Sequence, residues 1–489
     1  MIFVIYDDNT KKSEIITDII GDKGFGDVVV RKRHLEDYYK ENIQKIFVRD
    51  ELVWKKVKSE YDLKKLLKDL ESLKDTDTRI LHCFSNFVIS DKENASLSFQ
   101  KIKFIDKPYL VLNDKKLMVA SIFPDVGSYL RLFSTSINGR LNFSAREYLK
   151  NIDNSFEIEG LVDIGIVNNF IQCITGNFEA RYFNSLKGGE YTIVKSSNNK
   201  KKIKAEYTFY HLLPEDMKYW FVMPFDYKES EDSASYTMER LHMTDLAIKW
   251  VHGSMNKEEF EELMDKYFYF FKIRHTKECS KEEYKAITDN LYEKKVRDRI
   301  NDLKKCEAYS NIEKCLSTTQ DANIDNLLAK YLELKEKIVT KNKLLHKLAI
   351  GHGDPCFSNA MYNKSTKTLK FIDPKGALVE SELWTNPYYD IAKLSHSVCG
   401  RYDFFNSGLF EIIVNKDFTY NLEIPFDNTV YKEIFKKKAQ ENGFDYLTIR
   451  IYEASLFLSM LPLHMDDPFK VFGFILNARN ILKEIEENV

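Results

Sequence analysis

Two short stretches constrain this chain more than the rest of its sequence. HGDPCFSN occupies residues 352–359 and LKFIDPKG residues 369–376. In the first, the acid Asp354 stands beside His352 and Gly353, and the amide of Asn359 follows five residues later. In the second, an apolar run ends in another acid, Asp373. Between them, NAMYNKSTKTLKFID reads as a hairpin that turns near NKST. Such a hairpin returns Asp373 to the neighbourhood of Asn359. Whatever fold the chain adopts has to make that clustering sensible.

Phosphoryl transfer from ATP to an alcohol asks for such a set. One group orients the attacking hydroxyl and accepts its proton, metal ions bridge the phosphates, a lysine grips them, and a glutamate holds the lysine. Asp354 suits the first role. Its spacing to Asn359 equals that of Asp and Asn in the kinase catalytic-loop pattern H-R-D-x-x-x-x-N. Asn359 and Asp373 offer the hard oxygen ligands that Mg²⁺ prefers. Upstream, from residue 177, the sequence reads as a strand, a turn at KGG, a strand ending in Lys195, a polar turn at SSNNK, and a helix containing Glu206. Lys187 is a nearby rival to Lys195.

HGDxxxxN followed by ID resembles the aminoglycoside phosphotransferase and choline kinase superfamily, whose fold is that of protein kinases. The wording HGDPCFSN…FIDPKG, with NPYYDIAKLSHS behind it, is similar to a bacterial branch associated with capsule or surface-polysaccharide biosynthesis. The resemblance covers roughly residues 177–489 and is poor across 255–345. It implies that Asp354 is the catalytic base and that Asn359 and Asp373 are magnesium ligands. It implies that Lys195 grips phosphate and that Glu206 is its helix partner. The run TMERL would be the hinge between lobes, with backbone groups of Glu239 and Leu241 near the adenine. His352 would brace the catalytic loop, and Asp390 would anchor it from a following helix. The sequence departs from the kinase pattern in having Pro-Lys-Gly after Asp373 and only KGG as a nucleotide loop.

Plainer readings compete at several positions. His396, Asp403 and Tyr388 are expected contacts of the acceptor, although a helix histidine satisfied by a neighbour and an aromatic in the core are the ordinary alternatives. Trp384 and Tyr389 share that ambiguity. Cys356 lies within the loop but has no His/Asp arrangement to activate it, so it reads as a packing residue.

With 489 residues the chain exceeds one ordinary core. Residues 1–145 alternate strand and helix signals, as in an α/β layered domain. Strands are expected at MIFVIYDD, DVVVRKR, QKIFVRD and RILHCFSNFVI, helices at SEIITDII and EYDLKKLLKDLESL, and a hairpin across YLVLNDKKLMVASIF. GDKGFGD at 21–27 reads as a plain turn. No acidic pair is expected at the end of a central strand. The layout, not the motifs, resembles a nucleotidyltransferase or glycosyltransferase type A domain that has lost its catalytic residues. A connector is expected at 146–176, a kinase-like small lobe at 177–245, and a helical large lobe with the catalytic loop at 246–489. Residues 446–465, which contain Arg450 and Glu453, read as a packed helix and not a membrane span.

The formal net charge of −2 gives no general attraction to nucleic acid or acidic membranes. Seven scattered cysteines without a CxxC pair, and an opening without a basic start, point to a cytoplasmic protein. The expected partners are ATP with Mg²⁺ and a small hydroxylated acceptor, a sugar or amino alcohol. The competing expectation is a nucleotide- or sugar-nucleotide-binding scaffold without turnover. A fused enzyme with an active front domain is the third.

Overall fold

A computed structural model describes residues 1–133, 145–175, 186–188, 191–241, 243–341 and 346–489. The chain divides into two compact units, Met1–Tyr182 and Phe183–Val489.

The first unit is built on a six-stranded sheet. Its strands are β1 (Ile2–Asp7), β2 (Leu52–Val57), β3 (Arg79–Phe84), β4 (Tyr109–Leu112), β5 (Met118–Phe123) and β6 (Ser155–Glu157), in the order β2-β1-β3-β5-β4-β6. The first three are parallel and β3–β5–β4 antiparallel. Every residue of β1 is buried, as a central parallel strand requires. Helix α1 (Glu14–Ile20) follows β1, and α2 (Leu35–Ile46) and α3 (Glu60–Glu71) flank β2 in sequence. In α3, Leu63, Leu66, Leu67 and Leu70 form the buried stripe, and the Ser59 side chain caps its start by accepting from the Asp62 amide.

Three readings of this unit are corrected. QKIFVRD is not a strand: Leu35, Tyr39, Ile43 and Ile46 are buried at helical spacing, so its first three residues end α2, and Phe47 follows as the residue that caps it. An acidic pair does end a central strand, for Asp7 is the last residue of β1 and Asp8 follows it, both buried. Both acids are already engaged. Asp7 accepts from the Asn9 amide and faces His82 Nε2 at 3.2 Å, while Asp8 accepts from the Gly26 amide and pairs with Lys56 at 3.2 Å. GDKGFGD wraps its backbone over Asp8 so tightly that a Cβ on Gly24 would lie 2.2 Å from the carboxylate. Thirdly, segment 146–176 carries β6, which pairs with β4, and a short strand, Leu161–Asp163, which pairs with Phe87–Ile89. It belongs to the first unit's sheets because its apolar residues, among them Leu149, Ile158 and Leu161, complete that unit's core.

The second unit has a small sheet and a large helical body. Strands β7 (Leu186–Gly188), β8 (Thr192–Ser197), β9 (Pro224–Glu229) and β10 (Ala234–Glu239) form an antiparallel sheet in the order β7-β8-β10-β9. Of the KGG turn, residue 189 lies outside the described residues, as do the side chain of Lys187 and the start of the segment read as a strand from 177. Helix α4 (Lys200–Leu212) packs Ile203 against Ala234 and Tyr236 of the sheet.

The helical body includes α5 (Lys257–Ile273), α6 (Lys281–Asp289), α7 (Lys295–Lys305) and α8 (Ile324–Lys341). Leu327, Tyr331, Leu334 and Ile338 of α8 are buried and Leu328 is half-buried, so α8 turns one apolar face to the core. Strand β11 (Lys347–Ile350) leads into the HGD stretch, and β12 (Ala360–Asn363) pairs with β13 (Thr368–Phe371) in the expected hairpin. Helices α9 (Tyr388–Val398), α10 (Tyr446–Met460) and α11 (Pro468–Glu486) close the body. The two charges in apolar α10 are buried together: Arg450 donates to Glu453, which also accepts from Ser395. No helix among the described residues is long and apolar enough to cross a membrane.

Candidate active site

The chain leaves β11 through Gly351 and turns sharply at Gly353, whose φ of +87° favours glycine. A Cβ there would lie 2.5 Å from Lys375. The loop is held from α9. Asp390, fully buried, accepts the backbone amides of His352 and Gly353 at 2.8 Å each. Its charge is met by Arg274 of the segment after α5, 3.1 Å away, which also donates to the Pro387 carbonyl. Further along the loop, the Phe357 amide donates to Ser397 Oγ at 3.0 Å, and the Phe357 ring is buried against Trp250.

His352 ties the loop to the strand that delivers Asp373. Its Nδ1 accepts from the Asp354 amide at 3.0 Å, which leaves Nε2 to donate to the Ile372 carbonyl at 2.9 Å. Burial lowers its pKa, against the pull of Asp390 and Asp354, and the ring lies parallel to Phe221. A neutral ring with both nitrogens engaged braces the loop and is not placed to shuttle protons.

Asn359 donates through Nδ2 to the Asp354 carbonyl at 2.9 Å, and its own carbonyl accepts from Ile372 at 3.0 Å. With Nδ2 committed as the donor, the side-chain oxygen is left as the acceptor. Asp373 sits at φ +55°, a region aspartate tolerates better than most residues, and 45% of its side chain is exposed. An exposed carboxylate and an oriented amide oxygen, joined across the β12–β13 hairpin, form a donor set that fits Mg²⁺ with phosphate and water completing the shell.

Lys195, on β8, points its ammonium between two acids. It lies 2.7 Å from Glu206 Oε2 and 2.8 Å from Asp373 Oδ1. Burial would lower its pKa, yet the Asp373 and Glu206 charges prevail and hold it above the usual lysine value. Glu206 is buried on α4 and also accepts from the Tyr236 hydroxyl at 3.0 Å. Beyond Asp373 the chain presses onto α4: Gly376 adopts φ +88°, and a Cβ there would lie 2.8 Å from the Ala205 carbonyl carbon. The Ala377 amide donates to the Ala205 carbonyl. Lys195, Glu206 and Asp373 are therefore in direct contact, and Asn359 links the Asp354 backbone to the strand that ends before Asp373.

The hinge stretch runs off β10. Glu239 pairs in register with Thr192 and is exposed, Leu241 is half-buried, and residue 242 lies outside the described residues.

The expected acceptor contacts are placed otherwise. His396 is 1% exposed, stacked on Tyr402 and against Phe457, and Asp403 is 2% exposed. Both are interior residues: His396 lies on the core side of α9, and Asp403 on the short helix Tyr402–Asn406 that follows it. Tyr388 accepts the Asp445 amide and packs edge-on to Phe444, half-buried. Cys356 is buried, and burial pushes its thiol well up, as a packing residue requires. Tyr389 is buried with its hydroxyl 3.2 Å from Lys295, and it shares with Trp384, Gly353 and Lys375 the wall of a cavity of about 190 Å³.

Sequence reasoning missed Arg274, the countercharge of Asp390, and Lys393, whose ammonium lies 3.0 Å from Asp354 Oδ1. Burial raises the Asp354 pKa, but the Lys393 charge outweighs it and holds the carboxyl below its usual value. The spacing Asp390–Lys393 on one helix was the available signal.

No protein-family model matches the chain, and no curated protein sequence matches it. Among solved structures it is similar to a thermostable mutant of aminoglycoside phosphotransferase APH(4)-Ia, with 10% identity and a TM-score of 0.35, over 66% of this chain and 99% of that one. A ternary complex of that enzyme with ADP and hygromycin B gives 11% identity and a TM-score of 0.33, over 66% and 98%. Aminoglycoside phosphotransferase APH(3'')-Id from Streptomyces rimosus, in complex with ADP and streptomycin, gives 13% and 0.31, over 61% and 98%.

Proposed function

We propose that the second unit is an ATP- and Mg²⁺-dependent phosphotransferase acting on a hydroxyl of a small molecule. The observation that supports it most is Lys195, held between Glu206 and Asp373, with Asn359 bonded to the Asp354 carbonyl on one side and to Ile372, the neighbour of Asp373, on the other. A domain that only bound a nucleotide would have no use for a carboxylate placed as a base.

In this reading Lys195 grips phosphate oxygens, and Asn359 and Asp373 hold the metal, which spreads the charge of the transferred group when bound. Asp354 orients the acceptor hydroxyl and takes its proton as the new P–O bond forms and the bond to the bridging oxygen breaks, releasing ADP. Positioning and electrostatics supply most of the acceleration. The acceptor class, a sugar or amino alcohol destined for a capsule or other surface polysaccharide, rests on the resemblance of HGDPCFSN…FIDPKG alone.

The test is turnover of Mg²⁺·ATP by the full chain against a panel of sugars and amino alcohols, with product detected by mass. Asp354→Asn is expected to bind ATP as the parent does and to lose about 10²–10⁴-fold in kcat, the usual worth of a positioned base. Turnover of that variant at the parental rate would remove Asp354 from the role.

A further inference from the structure

Lys393 has none of the roles assigned so far. It follows Asp390 by three residues on α9, so both side chains leave the same face of the helix. Asp390 holds the loop's backbone amides, and Lys393 reaches the side chain of the next residue, with its ammonium 3.0 Å from Asp354 Oδ1. Among the described residues this is the only ion pair Lys393 makes. Its side chain is only 18% exposed, an arrangement that costs solvation unless a carboxylate offsets it.

The two oxygens of Asp354 are not equivalent. Oδ1 is buried, yet the Asp354 side chain as a whole is 39% exposed. Its accessible edge is therefore the Oδ2 edge. A carboxylate turns readily about its last torsion, which is broad and two-fold. An ammonium paired with one oxygen at 3.0 Å favours one of its two settings.

We propose that Lys393 is a positioning residue for phosphoryl transfer: it pins Oδ1 of Asp354 so that Oδ2 alone meets the acceptor hydroxyl. This inference rests on the phosphotransferase reading. The hydroxyl proton passes to Oδ2 while the acceptor oxygen bonds to the γ-phosphorus and the β,γ-bridging oxygen leaves with ADP. Lys393 gives up no proton and forms no bond.

The test is a double-mutant cycle in the full chain, using the same acceptor panel and mass detection. Lys393→Met is expected to lower kcat about 100-fold, the scale of a 1 Å misplacement, with KM for ATP changed less than about threefold. Lys393→Arg, which keeps the charge, is expected to recover about tenfold of that loss. In an Asp354→Asn background Lys393→Met is expected to cost less than about threefold, because no carboxylate remains to be oriented. A merely structural lysine would lower both backgrounds alike, and that result overturns the proposal. So does a rise in KM for ATP, which would place Lys393 on the nucleotide. If Lys393→Met does not fold, the cycle is run with Lys393→Arg, whose kcat loss must likewise vanish in the Asp354→Asn background. A wild-type chain that binds Mg²⁺·ATP but yields neither ADP nor product would overturn the phosphotransferase reading and this inference together. Transfer by the wild type that is unaffected in Lys393→Met would overturn only the inference.

Discussion

Replacing Glu206 with glutamine tests whether Lys195 is aimed by its helix partner. Glutamine keeps the shape and can still accept from the Tyr236 hydroxyl, now 3.0 Å from Oε2, so the α4–sheet packing around Ile203 has little reason to change. What disappears is the carboxylate 2.7 Å from the Lys195 ammonium. Breaking a fully buried ion pair costs about 3–5 kcal/mol, because the surviving charge is stranded. Here the penalty is smaller: Lys195 retains Asp373 at 2.8 Å and 17% of its side chain is exposed, which leaves about 1–2 kcal/mol. The functional cost is larger than the structural one. With Glu206 neutral, Lys195 relaxes onto Asp373, the carboxylate assigned to the metal, and leaves the phosphate position. A fall of about 100-fold in kcat/KM for ATP is expected, about 2.7 kcal/mol of transition-state stabilisation. Steady-state kinetics at varied ATP, a binding isotherm for Mg²⁺·ATP and a thermal melt measure the three quantities. A folded Glu206→Gln chain with kcat/KM within threefold of the parent would refute the reasoning.

Three further changes probe the frame around the site. Asp390→Ala strands Arg274 and frees two loop amides, so a loss of about 3–5 kcal/mol in denaturant melts and near-complete loss of turnover are expected. Gly376→Ala must push the segment after Asp373 off the α4 backbone; it is expected to lower kcat/KM at least tenfold with a small fall in Tm, and an unchanged rate would show that this close approach does not position Asp373. Asp403 is buried, with Asp245 adding a repulsive charge, and its pKa is raised to about 7. A carboxyl raised in the folded state binds its proton more tightly there than in the unfolded chain, so stability from this group is full at low pH and is lost as pH rises through about 7. Asp403→Asn is therefore expected to be more stable than the parent at pH 8, by on the order of 4 kcal/mol at most, with the advantage fading toward pH 5; equal melts at both pH values would dismiss the buried charge.

The site was legible where chemistry forces residue type and spacing together. Asp354, Asn359 and Asp373 stand on a turn and a hairpin whose local signals are strong, and the hairpin forms as its polar turn implies. Lys195 and Glu206 were readable because a strand lysine and a helix acid within one short segment have few reasons to be paired. The acceptor contacts were not readable. His396 and Asp403 look polar in sequence, but nothing local says which face of α9 or its following turn meets the core. In the first unit, QKIFV is equally apolar as a strand or a helix end, and only the spacing back to Leu35 decides it. The engagement of Asp7 and Asp8 by His82, Gly26 and Lys56 joins residues from separate segments and leaves no local trace.

One helix organises the HGD loop. Asp390, Lys393 and Ser397 occur at spacings of three and four on α9, so they lie along one stripe. Each takes a successive part of the loop: Asp390 the amides of His352 and Gly353, Lys393 the carboxylate of Asp354, and Ser397 the amide of Phe357. The helix is itself held from behind, where Ser395 donates to Glu453 and Glu453 pairs with Arg450 of α10. Buried polar groups of this kind are costly unless every partner is present. Their concentration on both faces of α9 is therefore hard to explain by stability alone, since an apolar helix would fill the same space more simply. It is explained if the loop must be held rigidly enough to aim one carboxylate. The polar stripe of α9 is then part of the site as much as the HGD stretch it grips, and YYDIAKLSHS belongs with HGDPCFSN and FIDPKG in any reading of this chain's chemistry.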